Sequence, residues 1–177
     1  VTYLERAHRK PALLRFRAEG DFRPISTTEF SRRVRGLSLG LAGLGLRPGG
    51  KAALLSENRP EWIISDLAVM AAGGITVPIY TQLLPAQIEY LLDESECEIV
   101  LCSTRELWLK VEAVRSRLPR LAHAVLFEGA APGVLSLDEL IARGEAEGRA
   151  KPDAFDRAAA AVRPGDVATI VYTSGTT

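Results

Sequence analysis

Hydrophobic positions along this chain follow two alternating rhythms. Short, largely uncharged runs at 51–56, 75–80, 98–103 and 124–127 read as buried strands. Between them, apolar residues recur at spacings of four and three, as in Phe30, Val34, Leu37, Leu41 and Leu44, and again in Leu107, Val111, Val114 and Leu118. That spacing predicts helices with one apolar stripe. Segment 62–72 is apolar nearly all round, interrupted only by Ser65 and Asp66, and predicts a helix buried on most sides. Further helices are expected over 85–93 and from Ser136 to about Arg143.

Start and stop signals agree with this division. Ser26 with Glu29, and Ser136 with Glu139, form capping-box patterns, and Pro60 with Glu61 suits a first helical turn. Gly45 with Pro48-Gly49-Gly50, and later Gly73-Gly74, end helices. Near the start, 12–17 and 23–26 flank Ala18-Glu19-Gly20-Asp21 and predict a β-hairpin. Strands alternating with helices imply an α/β fold, a mostly parallel sheet flanked by helices on both faces. Gly36, Gly40 and Gly43 each weaken the first long helix by about 1 kcal/mol relative to Ala. This helix is therefore expected to rely on close packing against a neighbour.

Two stretches are read differently. The Ala- and charge-rich segment 144–162, with Pro152 in its middle, is expected to be a solvated helix or loop returning to the sheet. Segment 167–172 is uncharged, β-rich and bounded by Pro164-Gly165-Asp166, which suits a buried strand of the parallel sheet. Five small residues follow it, Thr173, Ser174, Gly175, Thr176 and Thr177. A loop that wraps a polyanion needs inward N–H groups, a residue tolerant of φ > 0 and small hydroxyl donors. This run offers all three, although an ordinary polar turn has the same composition. It is not a Walker A loop, because the G-x-x-x-x-G-K-[ST] spacing is absent.

Composition narrows the function classes. Lys+Arg and Asp+Glu both number 22, so no global field attracts nucleic acid. The charge-free run 67–88 is broken by Gly73-Gly74, Pro78 and Pro85, which argues against a membrane span. Cys97 and Cys102 sit near the two ends of one expected strand, five apart and so on opposite faces, and support neither a disulfide nor a metal site. A reducing, cytoplasmic compartment is the expectation. Trp62 reads as core, Tyr80 as structural despite its place at a strand's carboxyl end, Arg59 as a surface charge and Tyr172 as support for the terminal loop. His8 and His123 have no acidic or nucleophilic neighbours at suggestive spacing.

The string from Asp166 through Thr173-Ser174-Gly175-Thr176-Thr177 resembles the phosphate loop of the adenylate-forming (AMP-binding) enzymes, the acyl-CoA synthetases and their relatives. Glu57-Asn58-Arg59-Pro60-Glu61-Trp62, continuing through Gly73-Gly74-Ile75-Thr76-Val77-Pro78-Ile79-Tyr80, is similar to the matching region of long-chain fatty acyl-CoA synthetases (fatty-acid–CoA ligases). Pro85-Ala86-Gln87-Ile88 resembles the family's next helix start, with Leu84 where Thr is the usual cap.

This resemblance implies a two-step ligase. A fatty carboxylate attacks the α-phosphate of ATP, brought in with Mg2+, and CoA then displaces AMP. Thr173, Ser174, Gly175, Thr176 and Thr177 would hold the outer phosphates; no catalytic residue is assigned. Residues 1–177 would be the N-terminal portion of the large AMP-binding domain, truncated inside the phosphate loop, lacking the acyl pocket, the adenine contacts and the C-terminal domain, and inactive alone. The expected partners are the small-molecule substrates; oligomeric state and peripheral association with lipid stay open. Fragments of aryl, acetyl or amino-acid activating enzymes would share the loop. A non-catalytic α/β binding or oligomerisation module is the alternative from a different class.

Overall fold

The computed structural model describes residues 1–18 and 20–173. It begins with helix α1 (Thr2–Ala7), then the hairpin of β1 (Leu14–Ala18) and β2 (Asp21–Ile25), antiparallel from Leu14 opposite Ile25 to Ala18 opposite Asp21. Helix α2 (Thr27–Gly43) starts where its capping pattern predicts, with the Ser26 hydroxyl accepting from the Glu29 N–H at 3.1 Å. The chain then alternates through β3 (Lys51–Leu55), α3 (Pro60–Ala71), β4 (Ile75–Ile79), α4 (Pro85–Glu94), β5 (Ile99–Cys102), α5 (Arg105–Glu112), a 3-10 turn (Arg115–Arg117) and β6 (His123–Leu126). A short β7 (Leu135–Ser136) leads into α6 (Leu137–Ala150), and α7 (Ala154–Ala161) follows.

The five strands β4-β3-β5-β6-β7 form one all-parallel sheet in that spatial order. Alternation along each strand sends Ala52, Leu54, Ile99, Leu101 and Val125 into one core with α2, α3 and α6. Ala53, Leu55, Val77, Ile79, Val100 and Leu126 point into the other, beneath α4 and α5. Both faces are covered, as expected for parallel strands without charge.

The glycines of α2 explain its packing. An added Cβ at Gly36 would meet the Ile141 carbonyl oxygen at 3.0 Å, one at Gly40 would strike the Leu140 carbonyl oxygen, and one at Gly144 would land on the carbonyl oxygen of Gly36. Helices α2 and α6 therefore touch backbone to backbone. Gly43 lies outside this crossing, with nothing within 4 Å.

Several expectations are corrected. Segment 167–172 is not a buried central strand: it makes one parallel bridge, Thr169 to Thr76, at the free edge of β4. The Thr76 N–H donates to the Ala168 carbonyl and the Ile170 N–H to the Thr76 carbonyl, each at 3.0 Å. Val167 and Val171 stay 59% and 56% exposed, because nothing among the described residues covers that edge. Segment 144–162 is mostly helical. Helix α6 runs on to Ala150, and α7 buries Phe155, over whose ring the Arg35 guanidinium lies at 4.4 Å. Cys97 and Cys102 are both free and share one core; they do not take opposite faces because Cys97 precedes β5, outside the strand whose alternation the expectation assumed.

Candidate functional site

In a parallel sheet the carboxyl ends of the strands all open on one side, and ligands bind there near the point where the chain reverses its winding. From β3 the chain passes to β4 on one side and then returns to β5 on the other, so the reversal lies between β3 and β5. The loop after β3 carries Ser56, Glu57, Asn58 and Arg59, and the loop after β5 begins at Ser103.

This crevice is bridged by its own side chains. The fully buried Ser103 hydroxyl donates to Glu57 Oε2 at 2.5 Å, and the Ser56 hydroxyl donates to the Glu57 carbonyl at 2.8 Å. Arg59 gathers three carboxylates: its Nε donates to Glu61 Oε2 at 2.8 Å and its Nη1 to Glu57 Oε1 at 3.3 Å, while its Nη2 reaches Glu128. Arg33 approaches Glu61 from α2 at 3.5 Å.

Electrostatics follow from these contacts. Burial pushes the Glu57 carboxyl upward, but the Ser103 hydroxyl, its own backbone N–H and Arg59 outweigh burial and hold it below the ordinary carboxylate range. Glu61 is lowered in the same way, burial being overcome by Arg59, its backbone N–H and Arg33. For Arg59 burial opposes the charge, and the bonds to Glu128 and Glu61 more than restore it. The network ties together the loops after β3, β5 and β6.

Open space flanks this network, part of it toward β4 and the terminal segment. A cleft of about 390 Å³ there is lined by Ser56, Asn58, Trp62, Tyr80, Gln82 and Val171, among others. Beside it runs a more apolar groove of about 770 Å³, whose walls include Pro78, Tyr80, Leu83, Tyr90, Tyr172 and Thr173. A third hollow of about 680 Å³ separates the β1 strand from the start of α3 and is floored in part by Asn58 and Arg59. The first two meet at the loop after β4, with Pro78 and Tyr80 belonging to both.

Of the predicted phosphate-binding residues, Thr173 is exposed and lies at the groove. Ser174, Gly175, Thr176 and Thr177 lie outside the described residues. Tyr80 is 65% exposed between two cavities, so its expected structural role is corrected to that of a cleft wall. Trp62 does pack against the core, half-buried, while its other side lines the smaller cleft. Arg59 is no free surface charge. Its partner Glu128 is 69 residues away in sequence, and Ser103 is 46 from Glu57. No local spacing signals such pairs. Neither cysteine suits nucleophilic chemistry: burial pushes the Cys97 thiol up to about 11 and the Cys102 thiol up to about 12.

The family model for AMP-binding enzymes matches residues 2–177. Among curated proteins, the chain is 32% identical over 159 residues to the long-chain-fatty-acid–CoA ligase FadD15 of Mycobacterium bovis, covering 90% of this chain and 26% of that protein. It is 30% identical over 166 residues to the long-chain-fatty-acid–CoA ligase ACSBG1 of Bos taurus, covering 92% and 22%. Among solved structures, the long-chain-fatty-acid–CoA ligase FadD1 of Archaeoglobus fulgidus superposes with a TM-score of 0.72 at 23% identity, covering 94% of this chain and 31% of that one, a likeness of fold. The chain thus spans about a quarter of the length of the curated relatives it matches. With the family model covering almost every residue, the chain belongs to the AMP-binding enzyme family.

Proposed function

We propose that this chain is the N-terminal portion of an ATP-dependent ligase that joins long-chain fatty acids to CoA. The observation that carries the reading is the sequence run from Asp166 to Thr177, whose described part reaches the carboxyl-end side of the sheet at Thr173, beside an apolar groove. Its likeness to long-chain-fatty-acid–CoA ligases supports the substrate class.

In the first step a carboxylate oxygen bonds to the α-phosphorus of ATP, carried as its Mg2+ complex. The bond from that phosphorus to the bridging oxygen breaks, and pyrophosphate leaves with the electron pair. In the second step the CoA sulfur attacks the acyl carbonyl, AMP departs, and the thiol proton passes to solvent. The contribution of this chain is to the first step. Thr173, Ser174, Thr176 and Thr177 donate hydroxyl or backbone hydrogen bonds to the outer phosphates, and Gly175 lets the backbone approach them. Donors placed before the reaction stabilise the charge gathering on departing pyrophosphate without reorganising.

No helix among the described residues is long and apolar enough to cross a membrane. We place the enzyme in the cytoplasm, where its two thiols stay reduced.

The decisive measurement is acid-dependent exchange of labelled pyrophosphate into ATP by the full-length protein, scanned over fatty, aryl, acetic and amino acids. Exchange that rises with fatty chain length supports the reading, while residues 1–177 alone should give none. Exchange driven only by aryl or amino acids would reassign the substrate. No exchange with any acid would leave a binding or oligomerisation module.

A further inference from the structure

The wall between the two clefts is the loop at 80–84, and its own backbone does little to fix it. Within it the Leu83 N–H reaches the Tyr80 carbonyl at a long 3.3 Å, and Leu84 alone is tied to α4, its N–H donating to the Gln87 side chain at 3.0 Å and its carbonyl accepting from the Gln87 and Ile88 N–H groups at 3.0 Å. Leu84 caps α4 without any side-chain acceptor. The loop is held instead from α5: the Lys110 Nζ donates to the Thr81 carbonyl at 2.7 Å and to the Leu83 carbonyl at 3.2 Å. Among the described residues this ammonium has no carboxylate partner, so its charge is committed to the two carbonyls.

We infer that Lys110 is a positioning residue for the acid substrate, clamping the 80–84 loop so that Tyr80 and Leu83 hold the shape of the apolar groove beside Thr173, the approach to an acyl pocket that the rest of the protein would complete. The inference rests on the ligase reading. A lysine bound to two carbonyls two residues apart fixes a loop at two points with charge-assisted bonds, stronger than neutral ones. Tyr80 carries the consequence to both cavities, because its ring is exposed and borders each. Lys110 lines neither cleft itself. It acts through the loop, and the acid's entrance moves while the nucleotide's contacts stay in place.

The test compares Lys110→Met, which keeps the stem and removes the donors, with Lys110→Arg, which keeps charge and donors. Both are made in the full-length protein. For Lys110→Met the KM of a long-chain acid in pyrophosphate exchange should rise about tenfold, the loss expected for a hydrogen bond to a charged group. The KM of ATP and kcat should stay within about twofold, and Lys110→Arg should recover most of the loss. An unchanged acid KM, or equal losses for acid and ATP, would overturn the inference. Amide hydrogen exchange at residues 83 and 84 reads the clamp without reference to activity: faster exchange in Lys110→Met supports it, and unchanged exchange overturns it. If the unsubstituted protein were inactive with every acid, the ligase reading alone would fall and the exchange rates would still decide the clamp.

Discussion

Replacing Gly144 with alanine should destabilise the protein by about 3 kcal/mol, the scale of a severe overpacking, lowering the thermal midpoint by roughly 10 °C. The reason is geometric. The new methyl would land on the Gly36 carbonyl oxygen, with the Gly40 nitrogen 2.5 Å away, and both belong to backbone that no rotamer change can move. Helix α6 would have to lift off α2, uncovering Leu140 and Ile141, which are buried in the shared core. The control lies on α2 itself: Gly43→Ala meets nothing within 4 Å and should stabilise the helix by about 0.5–1 kcal/mol. Opposite signs from two Gly-to-Ala changes, read by thermal unfolding, would separate interhelical contact from helix propensity. A small effect of Gly144→Ala would mean that the helices cross further apart.

Arg59→Met should cost about 2 kcal/mol at neutral pH, because truncating one member of a desolvated ion cluster leaves the others uncompensated; partial exposure places it below the fully buried range. Glu57, Glu61 and Glu128 would then face one another without the cation at their centre. The pH dependence identifies the cause. In the unsubstituted protein Glu57 and Glu61 titrate below their ordinary 4.5. Their stabilisation is complete above that value and is lost as pH falls through the lower folded values. Without Arg59 the lowering shrinks, with Ser103, Arg33 and the backbone N–H groups keeping part of it, so the variant retains less of the stability that the charged forms supply above the carboxylate range. Denaturation midpoints should therefore differ most near pH 7 and converge only as pH falls below 4.5, through the lowered values of Glu57 and Glu61. A pH-independent gap would assign the loss to contact with Phe127, whose ring centre lies 5.8 Å from the guanidinium carbon.

Local features of the sequence were legible where local physics decides. Ser26 and Ser136 cap helices as their spacing to Glu29 and Glu139 predicts, and of the predicted apolar stripe Phe30, Val34, Leu37 and Leu41 are buried, while Leu44 is half-buried just past the end of α2. The parallel sheet between two helical layers was equally readable. Lateral order was not. Segment 167–172 has a central strand's composition yet lies at an edge, since strand composition does not encode which neighbour a strand acquires. Helix α1 was missed because its six residues carry no apolar stripe; it is anchored through side chains, with Arg35 of α2 bonded to Glu5 at 2.9 Å and to Thr2 at 3.0 Å. In the candidate site, Thr173 was legible from the hydroxyl run. Glu57, Ser103, Glu128 and Lys110 were not, because each acts on a partner distant in sequence.

The placement of the two cysteines has a practical consequence. Cys102 forms part of an interior strand and Cys97 lies just before it, both in the core beneath α4 and α5. Their protonated thiols are shielded from solvent, so an alkylating reagent gains them only when that half of the molecule opens. Labelling rates at these two sulfurs are therefore a native clock for the opening of the sheet, with no probe to be introduced.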